Sequence, residues 1–214
     1  MGDELKRLKE LVKEGDEKGT VAEVQALLSA GRDPEAIMRD GLIPAMDEVG
    51  DLFQQGEFFV PEMLVAARAM KGGLTVLKPR LVAGGTKPIG KVVLGTVKGD
   101  LHDIGKNLVT MALEGAGFEV VDLGSDVSPD KFVAAIKEHQ PQVVGLSALL
   151  TTTMLAMKDT IEAIKKAGLR DSVKVMIGGA PIRQEYADEI GADFYGPDST
   201  AGRNFARDVV SKEA

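Results

Sequence analysis

The hydrophobic residues of this 214-residue chain change their spacing once, near residue 90, and that change limits the folds open to it. Before it, apolar side chains recur every three or four residues, as in Leu5, Leu8, Leu11 and Val12, then Val21, Val24, Leu27 and Leu28, the period of amphipathic helices. After it, apolar runs rich in β-branched residues at 91–97, 118–123, 143–147, 173–177 and 193–195 alternate with helical stretches. Such alternation predicts a parallel sheet whose strands are joined by crossover helices.

The first part is expected to be a small helical bundle over residues 1–83. Asp33-Pro34-Glu35 signals a helix start, which Ile37, Leu42, Ile43, Met46, Val49, Leu52 and Phe53 continue. A break at Gly56-Glu57 and a new start at Pro61 predict a further helix through Met63, Leu64, Met70 and Leu77. Residues 84–90, with glycines at 84, 85 and 90 and Pro88, have the composition of a linker. Residues 91–214 then read as a doubly wound α/β domain of five parallel strands, flavodoxin-like or Rossmann-like, with Ser128-Pro129-Asp130 marking a helix start inside it. In such a domain a ligand lies across the carboxyl ends of the strands, where the strand order reverses.

The residue after the first predicted strand matters for that reason. Gly99-Asp100-Leu101-His102-Asp103-Ile104-Gly105 leaves it and opens a helix. Asp100-x-His102 suits a metal-ligand imidazole whose second ring nitrogen is oriented by a carboxylate, and Gly105 lets a bulky ligand pass close to the backbone. The plainer alternative is an Asp that caps a helix and a His that merely sits in the loop. The third strand ends in Ser147-Ala148-Leu149-Leu150-Thr151-Thr152-Thr153 and the fourth in Gly178-Gly179-Ala180-Pro181. Taken singly, the threonines read as a helix cap and the paired glycines as a tight turn. Together, on three strand ends, they point to a long ligand entering between strands.

Composition closes off several functions. A formal charge of −7 argues against nucleic acid. The absence of cysteine rules out disulfides, thiolate zinc sites and a cysteine nucleophile. The charged amphipathic start does not read as a signal peptide, and apolar runs such as 143–150 are too short to span a bilayer. A soluble, cytoplasmic protein is expected, with no membrane partner.

Asp100-x-His102-x-x-Gly105, Ser147-x-Leu149 and Gly178-Gly179, taken in order, resemble the cobalamin-binding fingerprint of methionine synthase and related corrinoid proteins. The run from Gly50 to Met63, Gly-Asp-Leu-Phe-Gln-Gln-Gly-Glu-Phe-Phe-Val-Pro-Glu-Met, is similar to that family's helical cap. The resemblance covers nearly the whole chain and is nearest to the corrinoid proteins of anaerobic methyltransferase systems serving methanol, methylamines, glycine betaine or methoxylated aromatics. It implies that cobalamin or a related corrinoid binds with its benzimidazole displaced and His102 as the lower cobalt ligand. Asp100 and Thr153 then form a relay behind the imidazole as cobalt cycles between methylcob(III)alamin and cob(I)alamin. It further implies a nucleotide tail beside Gly105, Ser147, Gly178 and Gly179, with Leu149 and Thr151 near the tail or corrin edge. Leu101, Asp103 and Ile104 belong to the motif, and Ser199 follows the fifth strand to close the site. On the upper face Phe53, Val60 and Met63 are implied to cover the cobalt-bound methyl group, although Met63 also reads as bundle core, and Glu57 and Glu62 as solvent-facing.

The implied partners are a substrate:corrinoid methyltransferase, an acceptor methyltransferase using tetrahydrofolate or a thiol, and a reductive activase. The chain itself is then a non-catalytic subunit, since nothing in it resembles a catalytic barrel. The alternatives are an adenosylcobalamin mutase subunit, a cobalamin-dependent sensor, and a nucleotide-binding or receiver domain with no corrinoid at all.

Overall fold

The computed structural model describes residues 3–83 and 87–213; residues 84–86 of the expected linker lie outside the described residues. The chain forms two compact units, one of residues 1–88 with 114–117, the other of 89–113 with 118–214.

The first unit is helical, with α1 (Asp3–Lys13), α2 (Glu17–Ser29), α3 (Pro34–Ile37), α4 (Ile43–Gln54) and α5 (Val60–Ala83). Its helix ends follow local chemistry. Gly15, at φ +72°, ends α1 with the paired bonds Gly15 N–H to Val12 C=O (3.0 Å) and Asp16 N–H to Leu11 C=O (3.0 Å), the pattern in which a left-handed glycine satisfies the last carbonyls. Asp16 then caps α2 by accepting the Gly19 N–H at 2.9 Å. Asp33 caps α3, with Pro34 at its first position. The single helix expected from residue 34 to 53 is interrupted by a π-helical turn, Met38–Leu42, where Ile43 N–H bonds to Met38 C=O five residues back. Pro44 explains the wider turn, because it has no N–H for the Asp40 carbonyl and its ring would strike that carbonyl in a regular helix.

Leu8, Val12, Val24, Leu27, Ile37, Leu42, Val49 and Leu77 are buried in this unit. Helices α2 and α5 lie close because α5 carries Gly72 and Gly73 at the crossing. A Cβ on Gly73 would sit 3.2 Å from Thr20 Cγ2 and 3.3 Å from Leu42, and one on Gly72 3.1 Å from Val21.

The second unit is a five-stranded parallel sheet in the order β2-β1-β3-β4-β5. The strands are β1 (Lys91–Thr96), β2 (Glu119–Asp122), β3 (Val143–Ser147), β4 (Lys174–Gly178) and β5 (Phe194–Gly196), each within a residue or two of its expected limits. Helices α6 (Ile104–Gly115), α7 (Pro129–His139), α8 (Met154–Lys166), α9 (Gln184–Ile190) and α10 (Ser199–Glu213) connect or follow them. Ser128 caps α7, as its sequence predicts. Phe132, Val144, Met157, Ile161, Ile164, Val175, Ile177 and Ile182 form one buried cluster. Within it Gly95 is required by packing, since a Cβ there would lie 2.7 Å from the Phe132 ring.

Chain order and sheet order diverge between β1 and β3, which are neighbours although β2 intervenes in sequence. Thr96 pairs with Ser147, Ser147 with Gly178, and Gly178 with Gly196. Four strand ends far apart in sequence therefore stand side by side. Among the described residues, no helix is long and apolar enough to cross a membrane.

Candidate functional site

The loop that leaves β1 at the point where strand order reverses carries Asp100 and His102. The Asp100 carboxylate has no solvent exposure (0%) and accepts five hydrogen bonds from the described residues. Oδ1 takes the His102 main-chain N–H at 3.0 Å and faces the imidazole Nδ1 at 2.8 Å. Oδ2 takes the N–H groups of Leu149 (2.8 Å) and Leu150 (3.2 Å) and the Thr153 hydroxyl (2.7 Å). Burial opposes ionisation of this group. The bonds from Thr153, the His102 and Leu149 amides and the imidazole outweigh it, holding the carboxyl well below the usual carboxylate range.

An ionised carboxylate only accepts, so the imidazole proton sits on Nδ1. Nε2 of the neutral ring then carries a free lone pair, and the side chain is half exposed (51%). Thr96 reaches the same loop from the strand end, its buried hydroxyl donating to the His102 carbonyl at 3.1 Å. One ring nitrogen is thus pinned to the protein, and the other is presented outward.

The flanking predicted residues divide clearly. Leu101 and Ile104 are strongly exposed (75% and 70%) for their size, and Leu149 is exposed too; Thr151 is exposed, whereas Thr153 is buried. Asp103 contributes its carbonyl to Asn107 N–H at 2.8 Å in the first turn of α6. Thr153 does occupy the cap position of α8, but its side chain makes no capping bond there. The hydroxyl is instead committed to Asp100, so the helix-cap alternative does not describe it. Nor does Asp100 cap a helix.

The three motif glycines differ in what they require. Gly179 is at φ +134° and a Cβ on it would collide with the Ala148 carbonyl, while one on Gly178 would come within 3.1 Å of the Gly196 carbonyl. Gly179 is demanded by the protein's own backbone, whereas at Gly178 the Gly196 carbonyl would have to give by a few tenths of an ångström. A Cβ on Gly105, in contrast, would meet no atom within 4 Å. Ser147 is partly buried at the end of β3, and Ser199 is buried at the start of α10, where Asp198 caps the helix by accepting the Ala201 N–H at 2.8 Å. In the helical unit, Met63 is buried, Phe53 half-buried and Val60 exposed. Glu57 is exposed, and Glu62 serves the fold by accepting the Phe59 N–H at 2.9 Å ahead of α5.

Comparison with known proteins bears directly on this site. Residues 90–205 match the B12 binding domain, and residues 4–78 match a second B12 binding domain profile. The chain belongs to the B12-binding protein family. Its cofactor is therefore cobalamin or a related corrinoid. It is 44% identical over 210 residues, 97% of this chain and 94% of the other, to a trimethylamine corrinoid protein of Methanosarcina acetivorans. Over 180 residues it is 46% identical to a dimethylamine corrinoid protein of the same organism, covering 84% of each chain. Among solved structures it resembles a cobalamin-binding protein from Desulfitobacterium hafniense, with 32% identity, a TM-score of 0.80, and coverage of 96% of this chain and 98% of that one. It also resembles a chain of the methanol:cobalamin methyltransferase complex of Methanosarcina barkeri, with 31% identity, a TM-score of 0.88, and coverage of 98% and 80%.

The residues of this B12-binding chain fit a corrinoid. Among the described residues, no three His, Asp or Glu side chains converge as a metal-ion cage, so His102 stands as a single donor suited to a metal that arrives with its other ligands attached. The exposed Leu101, Ile104 and Leu149 offer apolar contact around it, and the unfilled space at Gly105 leaves room at the base of α6.

Sequence reasoning missed other parts of this site. Lys106 is almost wholly buried (side chain 2% exposed) and pairs with Asp122 at the end of β2 and with Asn107. Asp126, in the loop after β2, accepts the Gly99 N–H at 2.8 Å. Neither had a signal in the sequence, because both act across strands whose adjacency only the sheet order reveals. Leu149 is expected from the sequence only near the tail or corrin edge, and the bond from its main-chain N–H to Asp100 has no signal there.

Proposed function

We propose that this chain is a corrinoid methyl carrier in which His102 is the lower axial ligand of cobalt and the cofactor's own base is displaced. The observation that carries this reading is the commitment of His102 Nδ1 to the buried Asp100 carboxylate, which leaves Nε2 as a free, outward-facing donor. The bound corrinoid supplies a cobalt centre able to take up and release a methyl group. Asp100 and Thr153 hold the imidazole orientation and its tautomer. Gly105, Ser147, Gly178, Gly179 and Ser199, with Leu149 and Thr151, accommodate the displaced tail and corrin edge. The helical segment 1–83 serves as a cap whose Phe53, Val60 and Met63 exclude water from the alkyl-cobalt face.

Similarity to the trimethylamine and dimethylamine corrinoid proteins supports a methylated amine as the methyl source. The partners in this reading are an amine:corrinoid methyltransferase, a methyltransferase that passes the group to a thiol or tetrahydrofolate, and a reductive activase. The test is reconstitution of the native chain and of His102→Ala with hydroxocobalamin, followed by visible spectroscopy and by methyl transfer from trimethylamine with a matching methyltransferase. A histidine-dependent base-off spectrum and methylation of the native protein alone are expected. A native protein whose spectrum is identical to that of His102→Ala removes the ligand assignment.

A further inference from the structure

Asp126 has a main-chain conformation that nothing in its own loop explains. It is one of two non-glycine residues with positive φ among the described residues, at +54°, a region that disfavours side chains by about 1–2 kcal/mol and that Asp and Asn tolerate best. Its contacts account for the strain. The Asp126 carboxylate accepts the Gly99 N–H at 2.8 Å, and the Asp126 N–H donates to the Asp100 carbonyl at 3.0 Å. One residue of the loop after β2 thus grips the Gly99-Asp100 segment at both ends, by the Gly99 N–H and the Asp100 carbonyl. The adjoining backbone continues the join, with Thr96 N–H to Gly124 C=O at 2.9 Å and Val127 N–H to Thr96 C=O at 3.0 Å. Gly99 is itself at φ +85°, so the chain turns sharply at the position being held. On the far side of His102, Lys106 is tied to Asp122, whose other oxygen accepts the Gly124 N–H at 2.9 Å. The β2 loop therefore brackets the histidine loop at both ends.

We infer that Asp126 is a positioning residue for the corrinoid ligand: by clamping the two-residue segment Gly99-Asp100 at both ends it fixes where the Asp100 carboxylate stands, and through it the tautomer and direction of His102. Its importance for cofactor binding rests on the reading of His102 as the cobalt ligand, but its effect on the imidazole does not. Strain concentrated beside a ligand loop and held by surrounding bonds is the expected form of such a device.

Three variants separate the elements of the clamp. Asp126→Gly relieves the backbone strain and removes the acceptor, Asp126→Asn keeps an oxygen acceptor and tolerates the same φ, and His102→Ala is the reference. In the cofactor-free protein, 15N spectroscopy of the His102 ring reads the ratio of Nδ1–H to Nε2–H tautomers, with thermal melting as a check on folding. A fall of about fivefold in that ratio is expected in Asp126→Gly, the scale of one ordinary hydrogen bond, with Asp126→Asn near the native value. After loading with hydroxocobalamin, Asp126→Gly should show a matching rise in the histidine-free spectrum. An unchanged tautomer ratio in Asp126→Gly, or an equal fall in Asp126→Asn, overturns the inference. Should the tautomer respond while His102→Ala retains the native cobalt spectrum, the clamp stands and the ligand assignment fails.

Discussion

Asp100 and His102 are two residues apart, and the same carboxylate oxygen, Oδ1, receives both the His102 main-chain N–H (3.0 Å) and its ring Nδ1 (2.8 Å). The main-chain bond closes a tight loop that brings the ring back over the carboxylate. Orientation of the imidazole is therefore built into the local turn, and the three donors from the loop between β3 and α8 hold the other oxygen in place.

Replacing Asp100 by Ala would strand the His102, Leu149 and Leu150 amides beside a site with no solvent and leave the Thr153 hydroxyl only the Leu150 carbonyl at 2.9 Å. Each unsatisfied buried donor costs roughly 1–3 kcal/mol. The cofactor-free Asp100→Ala protein should accordingly unfold at markedly lower urea concentration, by an amount corresponding to about 3 kcal/mol or more.

The depressed pKa of Asp100 sets an acid dependence. A carboxyl that ionises more readily folded than unfolded contributes stability above its unfolded pKa of about 4, and this contribution is lost as pH falls toward the folded value. In urea titrations of the cofactor-free protein, the native chain should lose stability steadily below about pH 4. Asp100→Asn should be less stable at neutral pH, and its deficit should shrink in acid. A deficit that stays constant from pH 7 to about pH 3 would show that Asp100 ionisation is not linked to folding.

Thr153 tests the hydroxyl separately from the side chain's bulk. Thr153→Ser retains the donor and should lie close to the native protein in stability, whereas Thr153→Val removes it. Because the bond is to a charged group, Thr153→Val should cost about 1.5–3 kcal/mol. Equal stabilities for the two variants, measured by chemical denaturation, would show that the bond contributes nothing.

Two glycines of the motif should respond in opposite ways. Gly105→Ala adds a methyl group into open space in the first turn of a helix, so it should leave the cofactor-free protein unchanged or stabilise it by up to about 1 kcal/mol. If that space belongs to the cofactor, the same change weakens corrinoid retention, read by spectrophotometric titration. Gly179→Ala meets the Ala148 carbonyl at an unfavourable φ, and should lower the melting temperature before any cofactor is added.

Thr20 offers a prediction away from the site. Its hydroxyl is fully buried between helices and has no hydrogen-bond partner among the described residues. Thr20→Val replaces it with a methyl group of similar size and should raise stability by about 0.5–2 kcal/mol in thermal or urea unfolding.

Much of this architecture was legible in the chain alone. The change of hydrophobic period separated helices from strands because core-facing positions repeat at different intervals in each. Asp33, Gly56 and Ser128 marked helix ends because caps depend on a residue's own backbone and its nearest neighbours. Asp100-x-His102 was equally readable, since two residues suffice to form its turn. The interruption at Met38–Leu42 was not, although Pro44 signalled it in retrospect: a wide turn and a break are alternative responses to the same missing N–H.

What tertiary structure alone decided is which distant groups meet the motif. Asp100 is satisfied by residues about fifty positions away because β3, not β2, lies on that side of β1. Asp126 and Asp122 reach the histidine loop from β2 on the other side. A backbone N–H has no residue identity, so no sequence pattern announces that Leu149 and Leu150 donate to a carboxylate. Likewise, a threonine at a helix start reads as a cap until a buried charge is placed next to it. The turn that places His102 was thus determined locally, and its electrostatic support was set by strand order.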